Sequence, residues 1–409
     1  MKERLDKTLS SKKFMITLSF IGLYLFSAGT SWAIFSYIKG EPAIVSQDLS
    51  GSRSKIDPNL PKTEECPING KMYSEPERVI WEERRPITAI IENHLDSRPQ
   101  SGLSKADVVY EAVAEGGITR YLAIFYCGAS ADDITIAPIR SVRVYFIDWA
   151  AEYGKEPLFV HIGGANNICK HCPGGVKLWG QIASTVDAFK MLIKLGWRSG
   201  VYGNDFDGGT NVGAPIIVRN QYRLEEKALW EHSVEGYTDK IFDEGEKRGF
   251  AYKNEEGDAW IDDFTVWKFA DDSALSTPKA NEISFEFWSN KGDYDATWKY
   301  DTGGNKYLRF NGGKEHMDHE TEEQLSTKNI VIMFVKEKGP IDEEGHMFYT
   351  TTGTGDALIF QNGDVIEATW EKSKQLSRTV FYDENDEEIS FVRGEIWIEA
   401  VPAGNNINY

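Results

Sequence analysis

Positive charge is scarce in this sequence of 409 residues. It has 45 Lys and Arg residues against 64 Asp and Glu residues, and its formal net charge is −19. A protein that binds nucleic acid needs a basic face to neutralise the phosphates, so this balance argues strongly against a nucleic-acid partner. It also argues against docking on anionic lipid head groups. The simplest explanation of such an acidic protein is the solubility of an exported domain.

Cysteine is also rare, and the four positions are Cys66, Cys127, Cys169 and Cys172. Outside the cytoplasm these residues are free to pair, and Cys169 with Cys172 or Cys66 with Cys127 are two conceivable disulfides, so the pairing stays open. A four-cysteine zinc site needs all four to converge, which the isolated positions of Cys66 and Cys127 disfavour. We therefore expect no metal and no cofactor.

Sequence motifs for catalysis are missing. The chain has no nucleophile elbow, no phosphate-binding glycine loop and no zinc-hydrolase helix motif. Whether the protein is an enzyme stays open on this evidence, which favours binding over catalysis.

The longest apolar run is residues 14–38, FMITLSFIGLYLFSAGTSWAIFSYI. At about 1.5 Å per residue, it can cross a hydrocarbon core of about 30 Å as a single transmembrane helix. Residues 1–13 carry more Lys and Arg than Asp and Glu, which predicts a cytoplasmic tail and places the bulk of the chain outside. The alternative is a signal peptide cleaved near Ser31-Trp32-Ala33. No cysteine lies near the end of the run, so a lipid-modified cysteine is not available as the anchor.

Residues 39–78 are polar and interrupted by prolines, so we expect a tether that leads to a first domain at residues 79–264. Short apolar, β-branched runs predict strands in that domain. These strands are Ile87–Ile91, Val108–Glu115, Thr119–Cys127 and Pro157–Ile162. Gly116-Gly117 joins the second to the third in a predicted hairpin, because glycine accepts positive φ.

Apolar residues at helical spacing predict three helices in the same domain. They are Ser141–Tyr153, Ala183–Leu195 and Leu224–Tyr237. Ser141 is placed to cap the first of them. Strands that alternate with helices indicate an α/β layer domain, in which the side chains of a site collect at strand ends.

Residues 265–409 change to short alternating strands with turn residues, which predicts a mainly β domain. Gly303-Gly304 and Asn362-Gly363 mark hairpins. Further predicted strands are Ile330–Val335, Thr379–Tyr382 and Glu395–Val401. The expected fold class is α+β: a transmembrane helix, an N-terminal α/β layer domain, and a mainly β C-terminal domain that packs on it as a sandwich or curled sheet.

Several motifs resemble one known family, the YerB-like bacterial surface lipoproteins. The similar segments are Arg85-Pro86, the stretch from Arg98 to Asp107, Glu115-Gly116-Gly117-Ile118-Thr119-Arg120, Pro138-Ile139-Arg140-Ser141, Trp370-Glu371-Lys372 and Gly394-Glu395-Ile396-Trp397-Ile398. The resemblance covers about residues 81–402 and implies a pair of domains of unknown function at the bacterial envelope. This chain departs from the family in its predicted transmembrane anchor. It also lacks a histidine and an asparagine that the family tends to carry after Ala214-Pro215, so no role of that pair is carried over.

The segment Ala137–Arg143 is the sharpest candidate for a binding site. Its Arg140 lies at the mouth of a predicted helix, where free N–H groups and the helix dipole favour an anion. Together with Arg120 and Arg143, it could hold a phosphate or carboxylate bidentately. The simpler explanation is that the arginines pair internally with glutamates. The nearest glutamates are Glu92, Glu111 and Glu115.

Other candidate site residues lie at or near strand ends. They are Glu92, Asn93, Arg98, Glu115, Ser141 and His161. His161 could act as a general base or a ligand, although a lone histidine beside a glycine-rich turn is more often a satisfied structural residue.

These features predict a bacterial cell-envelope protein, anchored by a single pass, that binds an anionic wall component or an envelope protein partner through Arg120, Arg140 and Arg143. The alternative is an envelope hydrolase or transferase that acts on a glycan or a phosphorylated substrate with glutamate and histidine as acid–base groups. That alternative needs a cleft that brings Glu92, Glu115 or His161 within about 3 Å of a ligand oxygen.

Overall fold

The computed structural model describes residues 56–167, 182–254 and 256–409. The predicted membrane segment at residues 14–38 lies outside this range, as do Cys169 and Cys172. In the described ranges, no helix is long and apolar enough to cross a membrane. These ranges are mostly β, with four short α-helices.

The helices are α1 (Glu75–Trp81), α2 (Val144–Ala150), α3 (Ala188–Lys194) and α4 (Thr238–Lys247). The strands before residue 265 are β1 (Glu64–Glu65), β2 (Met72–Tyr73), β3 (Ile87–Glu92), β4 (Val108–Glu115), β5 (Ile118–Phe125), β6 (Thr135–Ile136), β7 (Leu158–His161), β8 (Asp205–Asp207), β9 (Ile217–Arg219) and β10 (Val234–Tyr237). The later strands are β11 (Lys268–Ala270), β12 (Glu282–Phe285), β13 (Ala296–Asp301), β14 (Lys306–Asn311), β15 (Lys314–Glu315), β16 (Ser326–Thr327), β17 (Asn329–Val335), β18 (Glu337–Lys338), β19 (Phe348–Tyr349), β20 (Gly353–Gln361), β21 (Asp364–Lys372), β22 (Val380–Tyr382), β23 (Ser390–Val392) and β24 (Ile396–Pro402).

One ten-stranded sheet joins the two halves of the chain, in the order β22-β21-β20-β17-β24-β4-β5-β3-β7-β8. β24 lies between β17 and β4 and pairs in parallel with both. Its residues from Ile396 to Val401 are all buried, as expected for a central strand covered on both faces. β17, β20, β21, β22 and β24 therefore extend the N-terminal sheet, whereas β12 to β16 form a second sheet whose Trp298 and Arg309 contact β24. The expectation of a mainly β domain that packs on the first as a sandwich or curled sheet holds only in part.

The expectation of an α/β layer domain in the N-terminal half holds only in part, because β7 pairs in parallel with β3 and β8 and helix α3 lies between β7 and β8 in the chain. β5 pairs antiparallel with both β3 and β4, because the tight turn at Gly116 and Gly117 folds the chain directly back. The helices of this half are few and short, so its described residues are more strand than helix. The strand predictions are confirmed, and so are the Gly116-Gly117 and Asn362-Gly363 hairpins, whose turn residues all have positive φ.

The helix predictions are confirmed only in part. Helices occur at α2 and α3, although each is shorter than predicted. The predicted helix Leu224–Tyr237 is wrong, because that segment forms a short 3₁₀ turn at Trp230–His232 followed by strand β10. β10 pairs with β6 and β9, and this sheet pairing overrides the local helical spacing.

A disulfide closes the N-terminal edge of the described part. Cys66 lies after β1, and Cys127 lies just past the end of β5, and the two are bonded. Between them, the Asp107 carboxylate accepts hydrogen bonds from the backbone N–H groups of Tyr126 and Gly128 at 2.7 and 3.0 Å. Burial raises the pKa of Asp107 to about 7, although these hydrogen bonds oppose the shift.

Helix α2 is the apolar anchor behind the candidate site. All of its residues except Asp148 are buried, so the helix is covered on every side. Its Trp149 stacks on Tyr110 of β4 with ring centroids 5.5 Å apart, and its Tyr145 hydroxyl donates to the Val113 carbonyl at 2.6 Å. These contacts fix the segment before α2 relative to the β4–β5 hairpin.

Candidate ligand-binding site

The segment before α2 is extended and lies along the end of β3. The backbone N–H of Glu92 donates to the Pro138 carbonyl, and that of Arg140 donates to the Ile90 carbonyl, both at 2.9 Å. On the other side, the Ile139 N–H donates to the Val234 carbonyl of β10 at 2.8 Å. This double attachment brings Arg140 beside the last residue of β3.

Arg140 faces a glutamate. Its Nε lies 2.9 Å from Glu92 Oε1, and its Nη1 donates to the Glu231 carbonyl at 2.7 Å. The other carboxylate oxygen of Glu92 lies 2.7 Å from His232 Nδ1. Both oxygens of the buried Glu92 are thus engaged, while 24% of the Arg140 side chain stays exposed.

Arg120 and Arg143 converge on Glu115. Each guanidinium pairs with one of the two carboxylate oxygens. Arg120 also donates to the Ser141 carbonyl at 2.7 Å, and Arg143 donates to the Val142 carbonyl at 2.9 Å. Burial opposes ionisation of Glu115, but the two arginines outweigh it and lower the pKa of Glu115 to about 2.

The two groups are neighbours. Arg120 and Glu92 are directly opposite each other on β5 and β3. Burial lowers the pKa of Arg120 to about 10, and the nearby Arg143 and Arg140 add to the effect. We call Arg120, Arg140 and Arg143, with Glu92 and Glu115, the arginine cluster. Its three guanidinium groups face two carboxylates, so one positive charge is left over.

Of these three arginines only Arg140 is partly exposed, so the left-over charge reaches the surface there, whereas Arg120 and Arg143 are buried. The Nε atoms of Arg120 and Arg143 are buried and have no hydrogen-bond partner. Beside Arg140 lies Arg219, an exposed residue whose guanidinium is 4.4 Å from the ring centroid of Trp230. Trp230 is itself 59% exposed, which is uncommon for so large an apolar side chain.

The predicted anion site at the mouth of a helix is wrong. α2 begins at Val144, after Arg143, and has only seven residues, so Arg140 lies outside it and the helix dipole is small. Ser141 does not cap the helix, because its hydroxyl donates to the Ile162 carbonyl at 3.0 Å. Any affinity for anions here comes from the guanidinium groups.

Asn93 and Arg98 belong to a different, buried network. Asn93 Nδ2 donates to Thr119 Oγ1 at 2.7 Å, and its Oδ1 accepts from Arg98 Nε at 3.0 Å. Asn311 Nδ2, from the C-terminal half, donates to the same Oδ1 at 2.8 Å. This asparagine therefore ties the loop after β3 to the second half of the chain.

Glu111 is fully buried and pairs with Arg309 of β14. Arg309 also donates to Glu399 Oε1 at 2.8 Å, and Glu399 is directly opposite Glu111 in the sheet. Burial, only partly offset by Arg309, raises the pKa of Glu399 to about 8, and the repulsion from Glu111 contributes to the rise. Glu111 and Glu115 therefore belong to two different ion-pair networks. The network at Glu111 is fully buried, and the one at Glu115 is partly exposed.

His161 is a satisfied structural residue. It is completely buried, its Nε2 contacts Asp205, and its Nδ1 lies 2.7 Å from the Gly163 carbonyl. Burial alone would lower the pKa of His161, but Asp205 and Asp207 outweigh it and raise that pKa. Arg198 completes the group by pairing with both aspartates.

Two family models match the chain. The N-terminal domain of a protein of unknown function, DUF3048, matches residues 70–187, and the C-terminal domain of the same family matches residues 283–398. The "Putative lipoprotein YerB" of Bacillus subtilis (strain 168) is 30% identical over 320 residues, which are 78% of this chain and 82% of that protein. The chain belongs to the YerB-like DUF3048 family.

A solved structure from the same family supports the fold. The crystal structure of the YerB protein from Bacillus subtilis matches with a TM-score of 0.64 and 26% identity. The match covers 85% of this chain and all of the solved one. The two-domain architecture of the family is therefore present here, and the family carries no established function.

Three open clefts of this YerB-like chain lie elsewhere in the described residues. One of 780 Å³ lies at the edge of β12 and is lined by Trp288, Asp295 and Glu337, among others. Two others, of 470 and 520 Å³, lie near Arg378 and near Arg84. None of these three clefts contains a predicted site residue. Glu92 and Glu115 pair with different members of the arginine cluster, and His161 belongs to a separate ion-pair group.

Sequence reasoning missed His232, Arg309 and Glu399. His232 lies in the segment predicted as a helix, and it meets Glu92 because β10, in the three-stranded sheet with β6 and β9, is hydrogen-bonded to Ile139 of the segment along β3. Arg309 and Glu399 lie far along the chain from Glu111. The only local signal was the charged residue inside the otherwise apolar run of β24, since a buried charge requires a partner.

Proposed function

We propose that this YerB-like protein is an extracytoplasmic, non-catalytic protein of the bacterial envelope that binds an anionic component of the cell wall at the arginine cluster. The supporting observation is the excess of guanidinium groups over carboxylates in a chain with a net charge of −19. A local positive charge on a strongly acidic protein directs anions to one place.

The residues beside the cluster suit such a ligand. Arg140 is partly exposed, and the exposed pair Arg219 and Trp230 lies next to it. An exposed tryptophan offers a flat apolar face to a sugar or another ring, while arginine binds phosphate or carboxylate through paired hydrogen bonds. An anionic glycan or a glycan-linked phosphate combines both features.

The proposed location rests on three facts about the chain and its relative. The relative is called a putative lipoprotein by name, the apolar run at residues 14–38 precedes the folded part, and Cys66 and Cys127 are bonded. Disulfides persist in oxidising compartments outside the cytoplasm. We propose that residues 14–38 hold the protein in the cell membrane in a single pass.

The test is co-sedimentation of the detergent-purified full chain with bacterial wall sacculi, either intact or stripped of their phosphate-containing polymers. We expect binding to intact sacculi and loss of binding to stripped ones. Arg140→Ala should reduce binding several-fold. Arg78→Ala is the matched control, since Arg78 is also a half-exposed arginine paired with glutamates, Glu64 and Glu82.

Equal binding by Arg140→Ala and the parent chain would show that the arginine cluster is not the binding site. Equal binding to intact and stripped sacculi would remove the anionic polymer as the ligand. Capture of an envelope protein in place of the polymer would point to a protein partner.

A further inference from the structure

A cluster of metal-binding side chains lies on the far side of Glu92 from Arg140. His94 and Asp96 lie in the loop that follows β3, and His232 lies just before β10. One potential ligand atom from each of the three residues lies within 4.8 Å of the others. We infer that these three side chains bind a divalent transition-metal ion of the zinc type.

The ligand types fit that ion. Two imidazoles and one carboxylate are typical ligands of zinc and its neighbours, and three protein ligands leave a position open for water or a further ligand. His94 Nδ1 lies 3.7 Å from Asp96 Oδ2. The ligand atoms of a tetrahedral site with bonds of about 2.1 Å are about 3.4 Å apart, so this pair is already close to the required spacing.

His232 is oriented as a metal-binding histidine is expected to be. Its Nδ1 lies 2.7 Å from Glu92 Oε2, which leaves Nε2 as the nitrogen for a metal. A carboxylate on the second nitrogen fixes the orientation of the ring and makes the ligating nitrogen more basic. Arg140 holds the other oxygen of Glu92, so the supporting carboxylate is itself fixed.

The loop that carries the other two ligands is also ordered. The Asp96 N–H donates to His94 Nδ1 at 3.2 Å, and the Ser97 hydroxyl donates to the His94 carbonyl at 2.6 Å. The His94 and His232 rings are stacked, with centroids 4.7 Å apart and planes 14° apart. To bind an ion together with His232, the partly exposed His94 ring has to rotate out of this stack, and a metal bond at His94 Nδ1 replaces the hydrogen bond from the Asp96 N–H.

Two carboxylates lie beside the candidate ligands. Glu92 lies against His232 and Asp96 lies against His94, while Glu92 also pairs with Arg140 and the Arg219 guanidinium lies over the Trp230 ring. His94 is one third exposed and Asp96 is largely exposed, so an ion can reach the site from solvent. The inference rests on these residues and is independent of the proposed wall ligand.

The test uses the detergent-purified full chain, stripped of metal and titrated with Zn²⁺ against a chromophoric chelator, with Co²⁺ as a spectroscopic probe. We expect His94→Ala and Asp96→Asn to weaken one Zn²⁺ site by about ten-fold or more. They should also remove the visible Co²⁺ bands of a tetrahedral site. His319→Ala removes one histidine outside the cluster and should leave both signals unchanged.

Asp96 is largely exposed, so the urea midpoint of the metal-free Asp96→Asn chain should match that of the parent, whereas His94→Ala also loses a hydrogen bond and a ring contact. Cys169, His171 and Cys172 are present in every variant, so any Zn²⁺ that they bind contributes equally to all chains. A difference between variants therefore reports on the proposed site. Equal Zn²⁺ stoichiometry and affinity in the parent, His94→Ala and Asp96→Asn would overturn the inference. So would an equal loss in His319→Ala, or no Zn²⁺ binding by the parent. Co-sedimentation with sacculi by the metal-stripped chain tests the wall ligand separately.

Discussion

At the scale of single residues, Glu115 and Glu399 show that buried ion pairs in the described part of this protein differ in how completely they are satisfied. Each carboxylate oxygen of Glu115 pairs with one arginine, and the pKa of Glu115 lies far below its ordinary value. Glu399 shares Arg309 with Glu111, and its Oε2 has no hydrogen-bond partner. The first arrangement stabilises a negative charge, whereas the second favours a proton.

Replacing Glu115 with Gln should destabilise the protein by about 1–3 kcal/mol at pH 7. This is less than the 3–5 kcal/mol that is typical of a fully buried pair, because about a third of the side chain is exposed. The ordinary glutamate pKa is 4.5, and in the folded protein it is about 2. The contribution is therefore complete above about pH 4.5 and is lost as the pH falls through about 2.

The measurement is urea unfolding of the parent and Glu115→Gln chains between pH 2 and 7. Glu367→Gln, at an exposed glutamate of β21, serves as the control and should change little. A difference between parent and Glu115→Gln that stays constant down to pH 2 would contradict the account.

Replacing Glu399 with Gln should have the opposite pH dependence. The pKa of the Glu399 carboxyl is about 8 in the folded protein, against an ordinary value of 4.5. Between these two pH values the folded state keeps a proton on Glu399 that the unfolded state has released. The parent should lose stability across that range, and Glu399→Gln should not show this part of the loss. We expect the variant to be more stable than the parent by about 1–3 kcal/mol at pH 8. Parallel curves for the two chains from pH 5 to 8 would show that the Glu399 carboxyl is not protonated.

At the scale of elements, hairpins were the most predictable part of the fold. Asn362 and Gly363 join β20 to β21 with φ of 58° and 76°, values that favour these residue types. Gly363 is also constrained by packing, since a Cβ added there would lie 2.8 Å from Tyr300 Cε1. Gly313 has a similar φ of 74°, but it faces open space.

Gly363→Ala should therefore destabilise the protein more than Gly313→Ala does. Both replacements force alanine into a left-handed conformation, at a cost of about 1 kcal/mol, and only Gly363→Ala adds a steric clash of about 1–2 kcal/mol. Thermal or urea unfolding of the two variants measures the difference. Equal effects would mean that Tyr300 moves aside freely.

The elements that sequence could not predict are those decided by distant partners. Leu224–Tyr237 has helical spacing, yet β10 forms there because β6 and β9 offer it backbone partners. α4 was missed because only Ile241 and Phe242 are large apolar residues among its buried positions. For the site, the pairing of arginines with glutamates was predictable by charge, but the choice of Glu92 for Arg140 depended on the path of residues 137–142 along β3.

At the scale of the whole molecule, β24 and the disulfide link parts of the chain that are far apart in sequence. β24 joins the strands of the two halves into one sheet, so we expect the described part to unfold cooperatively. The disulfide closes a loop with a sequence separation of 61 residues between Cys66 and Cys127.

Removing that disulfide by a Cys66→Ala, Cys127→Ala double replacement should lower the free energy of unfolding by about 4 kcal/mol. The loop-closure entropy of the unfolded chain is the main cause, since both cysteines are buried and small. Urea unfolding of the double variant, compared with a Cys169→Ala, Cys172→Ala chain, measures the effect. A loss of less than about 1 kcal/mol would mean that the disulfide adds little to the fold.

The central claim is that the positive charge left over in the arginine cluster binds an anionic wall polymer. The most direct measurement is the affinity of the full chain for purified, phosphate-containing wall polymer at low and high ionic strength, with Arg140→Ala and Arg140→Lys beside the parent. We predict that the parent binds, that binding weakens with salt, that Lys retains part of it, and that Ala loses most of it. Equal affinity in all three chains at low salt would contradict the claim.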